Sequence, residues 1–237
     1  MPWTAYVGTS GFAYGGWAPL FYPEGTKSKD LLREYAKRLA SVEVNYTFNA
    51  LPSEKVIAGW LEATPASFRF ALKASRRITH EGQLRDFEAL TRFLDRARSL
   101  GERLGCVLFQ TPPWLRRDDE RLREFLAALA HQDVRAAFEF RHESWYAPEV
   151  MELLRGHDVA LVTAEGERAP APYTVTARFV YARLRRKDAA YDEAALAEWR
   201  TRAEETLASG RDAYLYLYHD ETGENALAAE RLATLLA

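Results

Sequence analysis

Eight short apolar runs alternate with amphipathic segments along this chain, and that alternation restricts the fold more than any other feature. The runs are Ala5–Gly8, Val42–Asn45, Phe68–Lys73, Gly105–Gln110, Ala136–Phe140, Val159–Thr163, Phe179–Leu184 and Ala213–His219. They are rich in Val, Phe, Tyr and Leu and mostly continuous, as parallel strands buried on both faces read. Between them the apolar period lengthens to that of a helix. Ser28–Ala40 sets Leu31, Leu32, Tyr35, Ala36 and Leu39 on one stripe opposite Lys and Arg. Ser53–Ala63, Leu84–Leu100, Asp119–Ala130, Pro148–Arg155, Glu193–Leu207 and Glu224–Leu236 follow the same rule.

Seven to eight βα units in 237 residues predict a single TIM (β/α) barrel of α/β class, near the lower end of that fold's size range. An open doubly wound sheet is the competitor, but no Gly-x-Gly-x-x-Gly follows the first strand. Between Thr163 and Phe179 the chain carries Pro170 and Pro172, which interrupt any helix, so the sixth helix is expected to be missing or irregular. No linker, repeat or low-complexity segment divides the sequence, and residues 1–237 read as one domain.

Composition narrows the function classes. With 48% hydrophobic residues the chain can bury a full core, and its net charge of −2 does not recruit nucleic acid or an anionic membrane. The lone cysteine, Cys106, sits in the apolar run Gly105–Phe109, where it reads as a small core residue and excludes an internal disulfide. No apolar stretch approaches the roughly 20 residues of a membrane helix, and the N-terminus lacks a basic region followed by an apolar one. A soluble protein of the reducing cytoplasm is the expectation.

The polar groups at the strand ends suggest where chemistry would occur, because in a parallel barrel these ends collect on one face. Glu43 and Asn45 flank Val44 and should share one face of strand two, either facing a ligand or anchoring loops. Lys73 ends an apolar run; a lowered pKa there would suit a base or a Schiff-base nucleophile, while pairing with Glu43 or Glu139 is the simpler use. Glu139 and Arg141 should again share a face. Glu139 is the first general acid/base candidate, since desolvation raises a carboxyl pKa, and Arg141 offers a planar fork for a carboxylate or phosphate. The bland alternative is a Glu139–Arg141 ion pair. Gln110 would orient a ligand.

Tyr181, Arg183 and Arg185 alternate onto one face, with Arg183 placed where barrels often bind phosphate. His219 is a ligand-binding candidate, alone or with Asp220, although capping of the last helix is the commoner use of such an Asp. Phe12, Tyr14, Trp17, Tyr46, Phe48, Trp114, Trp145 and Tyr146 fall in loops at the expected mouth. Of these, Tyr14, Trp17 and Trp145 are taken as ligand-binding, against the alternative that such rings simply roof the barrel. No His-x-x-x-His or paired Cys occurs; Glu43, Glu139, Glu165 and His219 form the set that would bind a divalent ion if they converged. We expect no metal and no cofactor.

Several blocks together carry a resemblance. These are Gly8-Thr-Ser-Gly-Phe-Ala-Tyr14 with Trp17 and Phe21-Tyr-Pro23, Val42-Glu-Val-Asn-Tyr-Thr-Phe48 with Pro52 and Trp60, and Glu139-x-Arg141 with Ser144-Trp145. With Phe70-x-x-Lys73, Ile78-Thr-His80, Gln110-Thr-Pro-Pro113 and Tyr181-x-Arg-Leu184, the chain resembles the YecE-like family (domain of unknown function 72) from about Tyr6 to its end. The resemblance implies a TIM barrel in a widespread bacterial and archaeal family whose biochemical activity is not established. Two places depart from the family pattern. Arg185-Arg186 stands where the family usually has His-Gly, and Ala164-Glu165 where the sixth strand commonly leads to an Asp.

The reading favoured here is a barrel enzyme or binder of a small anionic ligand, phosphorylated or sugar-like. Lys73, Arg141 and Arg183 would hold the anion, and Glu139 and Glu43 would handle protons. Nucleic-acid binding or processing at the same mouth is the second reading, disfavoured by the acidic net charge. A glycoside hydrolase built on Glu43 and Glu139 is the third, and a non-catalytic interaction scaffold the last.

Overall fold

The computed structural model describes residues 3–166, 173–186 and 191–237. Eight parallel strands form one sheet in the order β1-β8-β7-β6-β5-β4-β3-β2. They are β1 (Ala5–Thr9), β2 (Ser41–Val44), β3 (Arg69–Lys73), β4 (Leu104–Gln110), β5 (Ala136–Glu139), β6 (Ala160–Ala164), β7 (Phe179–Leu184) and β8 (Asp212–Leu217). From β2 to β8 each strand pairs with the next in sequence, and the β1–β8 ladder curls the sheet into a TIM-like barrel. The helices are α1 (Leu31–Ala36), α2 (Glu54–Ala63), α3 (Phe87–Arg98), α4 (Asp119–Ala130), α5 (Pro148–Gly156), α6 (Glu193–Ala208) and α7 (Glu224–Leu235).

Helix starts follow local chemistry. Ser53, Asp86, Asp118 and Asp192 each accept from the backbone N–H three residues on, at 3.3, 2.9, 3.0 and 2.9 Å. Helix α3 begins at Phe87 rather than at Leu84, because Leu84 adopts φ +67° and Asp86 is the cap. No helix lies among the described residues between β6 and β7, as the proline spacing predicts; Pro170 and Pro172 themselves lie outside the described residues.

The period-2 alternation divides the core into two layers. Inward residues including Ala71, Cys106, Leu108, Ala137, Val162, Tyr181, Tyr214 and Tyr216 fill the barrel lumen. Outward ones including Val42, Phe70, Val107, Phe109, Phe138 and Leu161 pack against the helices. The lumen carries polar groups at several heights. Near the N-terminal end Arg135 bonds Asp212 at 2.7 Å and the Tyr214 hydroxyl at 3.1 Å. Above them the Tyr216 hydroxyl and Ser41 Oγ lie 2.7 Å apart.

One seam of the barrel has no ladder. Strands β1 and β2 sit at the two ends of the sheet order, and a side chain of α1 bridges them. The Tyr35 hydroxyl accepts from Thr9 N at 2.8 Å and donates to the Ser41 carbonyl at 2.9 Å. Burial, partly offset by the Thr9 hydrogen bonds, pushes this phenol well above its ordinary range. The strands approach so closely that a Cβ on Gly8 would lie 2.0 Å from the Ser41 carbonyl oxygen. Tyr35→Phe leaves a buried donor and a buried acceptor without this partner, so a loss of about 1–3 kcal/mol in denaturant unfolding is expected with the fold retained. A loss below the error of that measurement would show that the seam is held by packing alone.

Candidate functional site

The last inward-facing residues of five strands make one polar layer at the C-terminal end of the barrel: Glu43 of β2, Lys73 of β3, Gln110 of β4, Glu139 of β5 and Arg183 of β7. Arg183 is its centre. Its Nη1 donates to Glu139 Oε2 at 2.6 Å and its Nη2 to Glu43 Oε1 at 3.0 Å. Both carboxylates are buried, at 0% and 1% exposure for Glu43 and Glu139, so the guanidinium is what makes their burial tolerable. The Tyr181 hydroxyl donates to Glu43 Oε2 at 2.7 Å, and Asn45 Nδ2 donates to Glu43 Oε1 at 3.0 Å. Gln110 Nε2 donates to Glu139 Oε1 at 2.7 Å, and its Oε1 accepts from Lys73 Nζ at 2.8 Å.

This network corrects four expectations. Glu139 pairs across the barrel with Arg183; Arg141 lies beyond the end of β5. Lys73 bonds the neutral amide of Gln110 rather than a carboxylate. Asn45 stands outside β2 in αR conformation, at the start of the 3₁₀ turn Tyr46–Phe48, and reaches Glu43 from there. The direction of the Glu139 shift is also reversed. Burial is the largest influence and pushes its carboxyl up, but the Arg183 charge and hydrogen bond, the Gln110 amide and Lys73 together hold it below its ordinary value. Glu139 is thus kept as a carboxylate, unsuited to the general-acid role.

Lys73 is the group with tuned basicity. Burial, reinforced by Arg183 and Arg141 and opposed by Glu43 and Glu139, lowers its ammonium from 10.5 to about 8. Its Nζ lies 4.4 Å from the centre of the Phe48 ring. The same ring meets His80 edge-on at 4.9 Å, and His80 in turn lies 5.9 Å from Trp114. His80 is lowered by burial first, then by the charges of Lys73 and Arg141. It reaches the mouth on a single π-helical turn, Arg77–Glu81. Nothing in the apolar periodicity marks that turn; the only sequence signal for His80 is its place in the motif Ile78-Thr-His80.

The remaining sequence candidates are structural or peripheral. Trp17 and Trp145 are both completely buried, and their indole N–H groups donate to the Asp220 and Leu115 carbonyls at 2.8 and 2.7 Å. They brace loops from beneath, because the short 3₁₀ turns Gly15–Trp17 and Glu143–Trp145 fold the rings inward. Tyr14 stacks on His219 at 4.6 Å and is pushed up to about 12, by burial first and then by Tyr218 and Glu43. His219 is lowered by burial and lies 3.2 Å from Ser10 Oγ, while Asp220 caps the last helix by accepting from Asn225 N at 2.6 Å. Glu165 accepts from Tyr191 and Trp199 at 2.6 and 2.8 Å. The four residues suggested for a divalent ion are therefore spread over three separate hydrogen-bond sets, and no group of three or more His, Cys, Asp or Glu placed to hold a metal occurs among the described residues.

Two clefts flank the polar layer. One, small, lies between Ser10, Glu165, Arg183, Arg185 and Tyr218. The other, about 330 Å³ and largely apolar, opens beside Asn45 between Phe12, Tyr14, Tyr46 and Trp60. A larger cleft of about 880 Å³ lies at the opposite, N-terminal face. Two ion pairs line it, Arg135 with Asp212 and Arg178 with Asp158, both at 2.7 Å. The C-terminal mouth is where basicity is perturbed, and the site is assigned there rather than to the larger opening.

The family model described as "Protein of unknown function DUF72" matches residues 6–237. The chain belongs to the DUF72 family. Among curated relatives, UPF0759 protein YunF of Bacillus subtilis (strain 168) is 30% identical over 170 residues, 68% of this chain and 57% of the relative. UPF0759 protein YecE of Escherichia coli (strain K12) is 33% identical over 144 residues, 60% of this chain and 50% of the relative. The match thus spans about half the length of these proteins. A DUF72 protein of Thermotoga maritima MSB8 superposes with a TM-score of 0.82 at 27% identity, over 98% of this chain and 99% of that one. A second, from Enterococcus faecalis V583, gives 0.77 at 21% identity over 98% and 97%, a likeness of fold.

In this DUF72 protein Arg183→Met strands two buried carboxylates and is expected to cost about 3–5 kcal/mol in unfolding free energy, where an exposed ion pair would cost under about 1 kcal/mol. The acid limb carries a second expectation. Because the folded Glu139 carboxyl is lowered, its contribution is complete above the unfolded value of 4.5 and is lost as pH falls through the folded one. The unfolded chain therefore takes up the proton first, and stability should fall by up to about 1.4 kcal/mol per pH unit from this residue. Glu139→Gln should flatten that limb in denaturant titrations from pH 6 to 3. An unchanged slope would mean that folding does not shift the Glu139 carboxyl.

Proposed function

We propose that the C-terminal mouth binds a small anion, with Lys73 as the principal cation and Arg141 and His80 beside it. The observation that carries this reading is the division of labour in the polar layer. Arg183 engages both buried carboxylates by hydrogen bonds, while the Lys73 ammonium donates to the neutral Gln110 oxygen. Nζ has two further donors, and an anion above them would meet a surface whose neighbouring cations already depress Lys73 and His80. The half-buried ring of Phe48 and the exposed Trp114 would cover the bound molecule. Small oxyanions, carboxylates and phosphorylated metabolites share the required chemistry.

The competing readings receive less support. A glycosidase pair needs a carboxyl poised to give up a proton, whereas Glu139 is held as the carboxylate. A nucleic-acid surface would call for a basic excess, and the chain carries −2. No described helix is long and apolar enough to cross a membrane, and the buried lone cysteine suits a reducing cytoplasm.

Calorimetric titration with phosphate, pyruvate and a sugar phosphate tests the reading. At least one should bind, Lys73→Met should weaken it by about tenfold or more, near 1.4 kcal/mol, and Arg141→Ala should weaken it in the same direction. Affinity should also fall as pH rises through about 8, where the Lys73 ammonium loses its charge. Binding untouched by Lys73→Met, or no binding by any of the three, would sink the proposal.

A further inference from the structure

Lys73 is placed unlike a lysine that serves only as a cation. An ammonium meant to stay charged sits against a carboxylate; here the two nearest carboxylates are both taken by Arg183, and the acceptor is the Gln110 amide oxygen. The apolar Phe48 ring covers the amine, and His80 packs against that same ring. His80 is positioned with care. It is carried by a π turn, and the chain leaves that turn through Gln83 and Leu84, both at positive φ, +48° and +67°. Backbone of this kind is unfavourable and persists where the surrounding structure holds it. The Thr79 hydroxyl, 2.9 Å from His80 Nδ1 and 3.4 Å from the Ser75 carbonyl, engages Nδ1 and so orients the ring.

We propose that Lys73 is an amine nucleophile that condenses with the carbonyl carbon of a small anion of the 2-oxo-acid or aldehyde-acid class, with His80 carrying the proton. This rests on the anion-binding reading above and names its substrate class. The balance is simple. His80 Nε2 takes a proton from the Lys73 ammonium, and the amine pair forms the C–N bond as the carbonyl π pair moves to oxygen. A proton passes from nitrogen to that oxygen, giving the carbinolamine. His80 then returns its proton to the hydroxyl, which leaves as water while the nitrogen pair forms the C=N bond. Ammonium plus carbonyl thus becomes iminium plus one water, with no oxidant, reductant or metal required. The cations facing Lys73, Arg183 on β7 and Arg141 after β5, destabilise its ammonium together with burial, and Glu43 and Glu139 oppose them.

The test is reductive trapping on the full-length protein. Pyruvate or glyoxylate is added with sodium cyanoborohydride, and the adduct is mapped by peptide mass spectrometry, with acetate as the anion that has no carbonyl carbon to trap. The expected result is one saturable adduct at Lys73, at least about tenfold above Lys27, Lys29, Lys37 or Lys55, and rising with pH through about 8 as the free amine appears. Acetate should compete. Lys73→Arg should lose the adduct. His80→Asn should slow trapping by about tenfold while leaving the adduct at the same residue. Labelling spread evenly over surface lysines, or persisting in Lys73→Arg, overturns the proposal. Anion binding by calorimetry without a Lys73 adduct overturns it while the anion reading stands. Failure of every anion to bind removes both.

Discussion

The structure depends on one guanidinium in a place where an unpaired charge would be intolerable. Two glutamates on strands from different parts of the chain point into a lumen closed to water, and either alone would strongly favour unfolding or protonation. Arg183 satisfies both at once with the two arms of its fork, a geometry that a lysine could not reproduce. The rest of the polar layer is arranged around that choice. Tyr181 and Asn45 complete Glu43, Gln110 completes Glu139, and Gln110 has one oxygen left for Lys73. A chain of bonds therefore links the buried ion cluster to Lys73, whose ammonium is lowered to about 8. Stability and chemical readiness have a common origin here: the carboxylates are paired with Arg183, and their pull on the Lys73 ammonium is outweighed by burial and by Arg183 itself.

How much of this was legible in the sequence depends on the range of the interaction. Glu43, Lys73, Gln110, Glu139 and Arg183 were all found at the right ends of the right strands, because a period of two within a short apolar run is local information. The partners were not. Glu139 and Arg141 are two residues apart and looked like a pair, whereas the true partner of Glu139 is 44 positions away, brought opposite by closure of the barrel. The sign of the Glu139 shift was misread for the same reason: burial can be inferred from flanking apolar residues, but the cation that overrules it cannot. Trp17 and Trp145 sat in loops and looked available, yet single 3₁₀ turns tuck both rings under the surface. His80 escaped because a π turn differs from an α turn by one residue, too slight a change for periodicity to register.

The departure Arg185-Arg186 has a structural counterpart. Arg185 lies over the Tyr218 ring at 4.1 Å and Arg186 reaches toward Tyr191 and Asp192, so both guanidinium groups rest on aromatic or acidic neighbours at the rim. The second departure, Glu165, is held by a phenol and an indole. These residues shape the edge of the opening over β6 and β7, while the polar layer beneath is built from the positions that fit the family pattern. Variation at the rim over a fixed interior is how one barrel is adapted to different ligands.

The bridge made by Tyr35 bears on how the molecule comes together. In a ring closed entirely by backbone ladders, the last pair of strands can zip as soon as they meet, with helices docking before or afterwards. Here the atom that joins β1 to β2 belongs to neither strand; it arrives on α1 and is in position only when that helix has packed. The seam therefore takes these two hydrogen bonds from a packed helix, and any opening that lifts α1 away from the sheet removes them together.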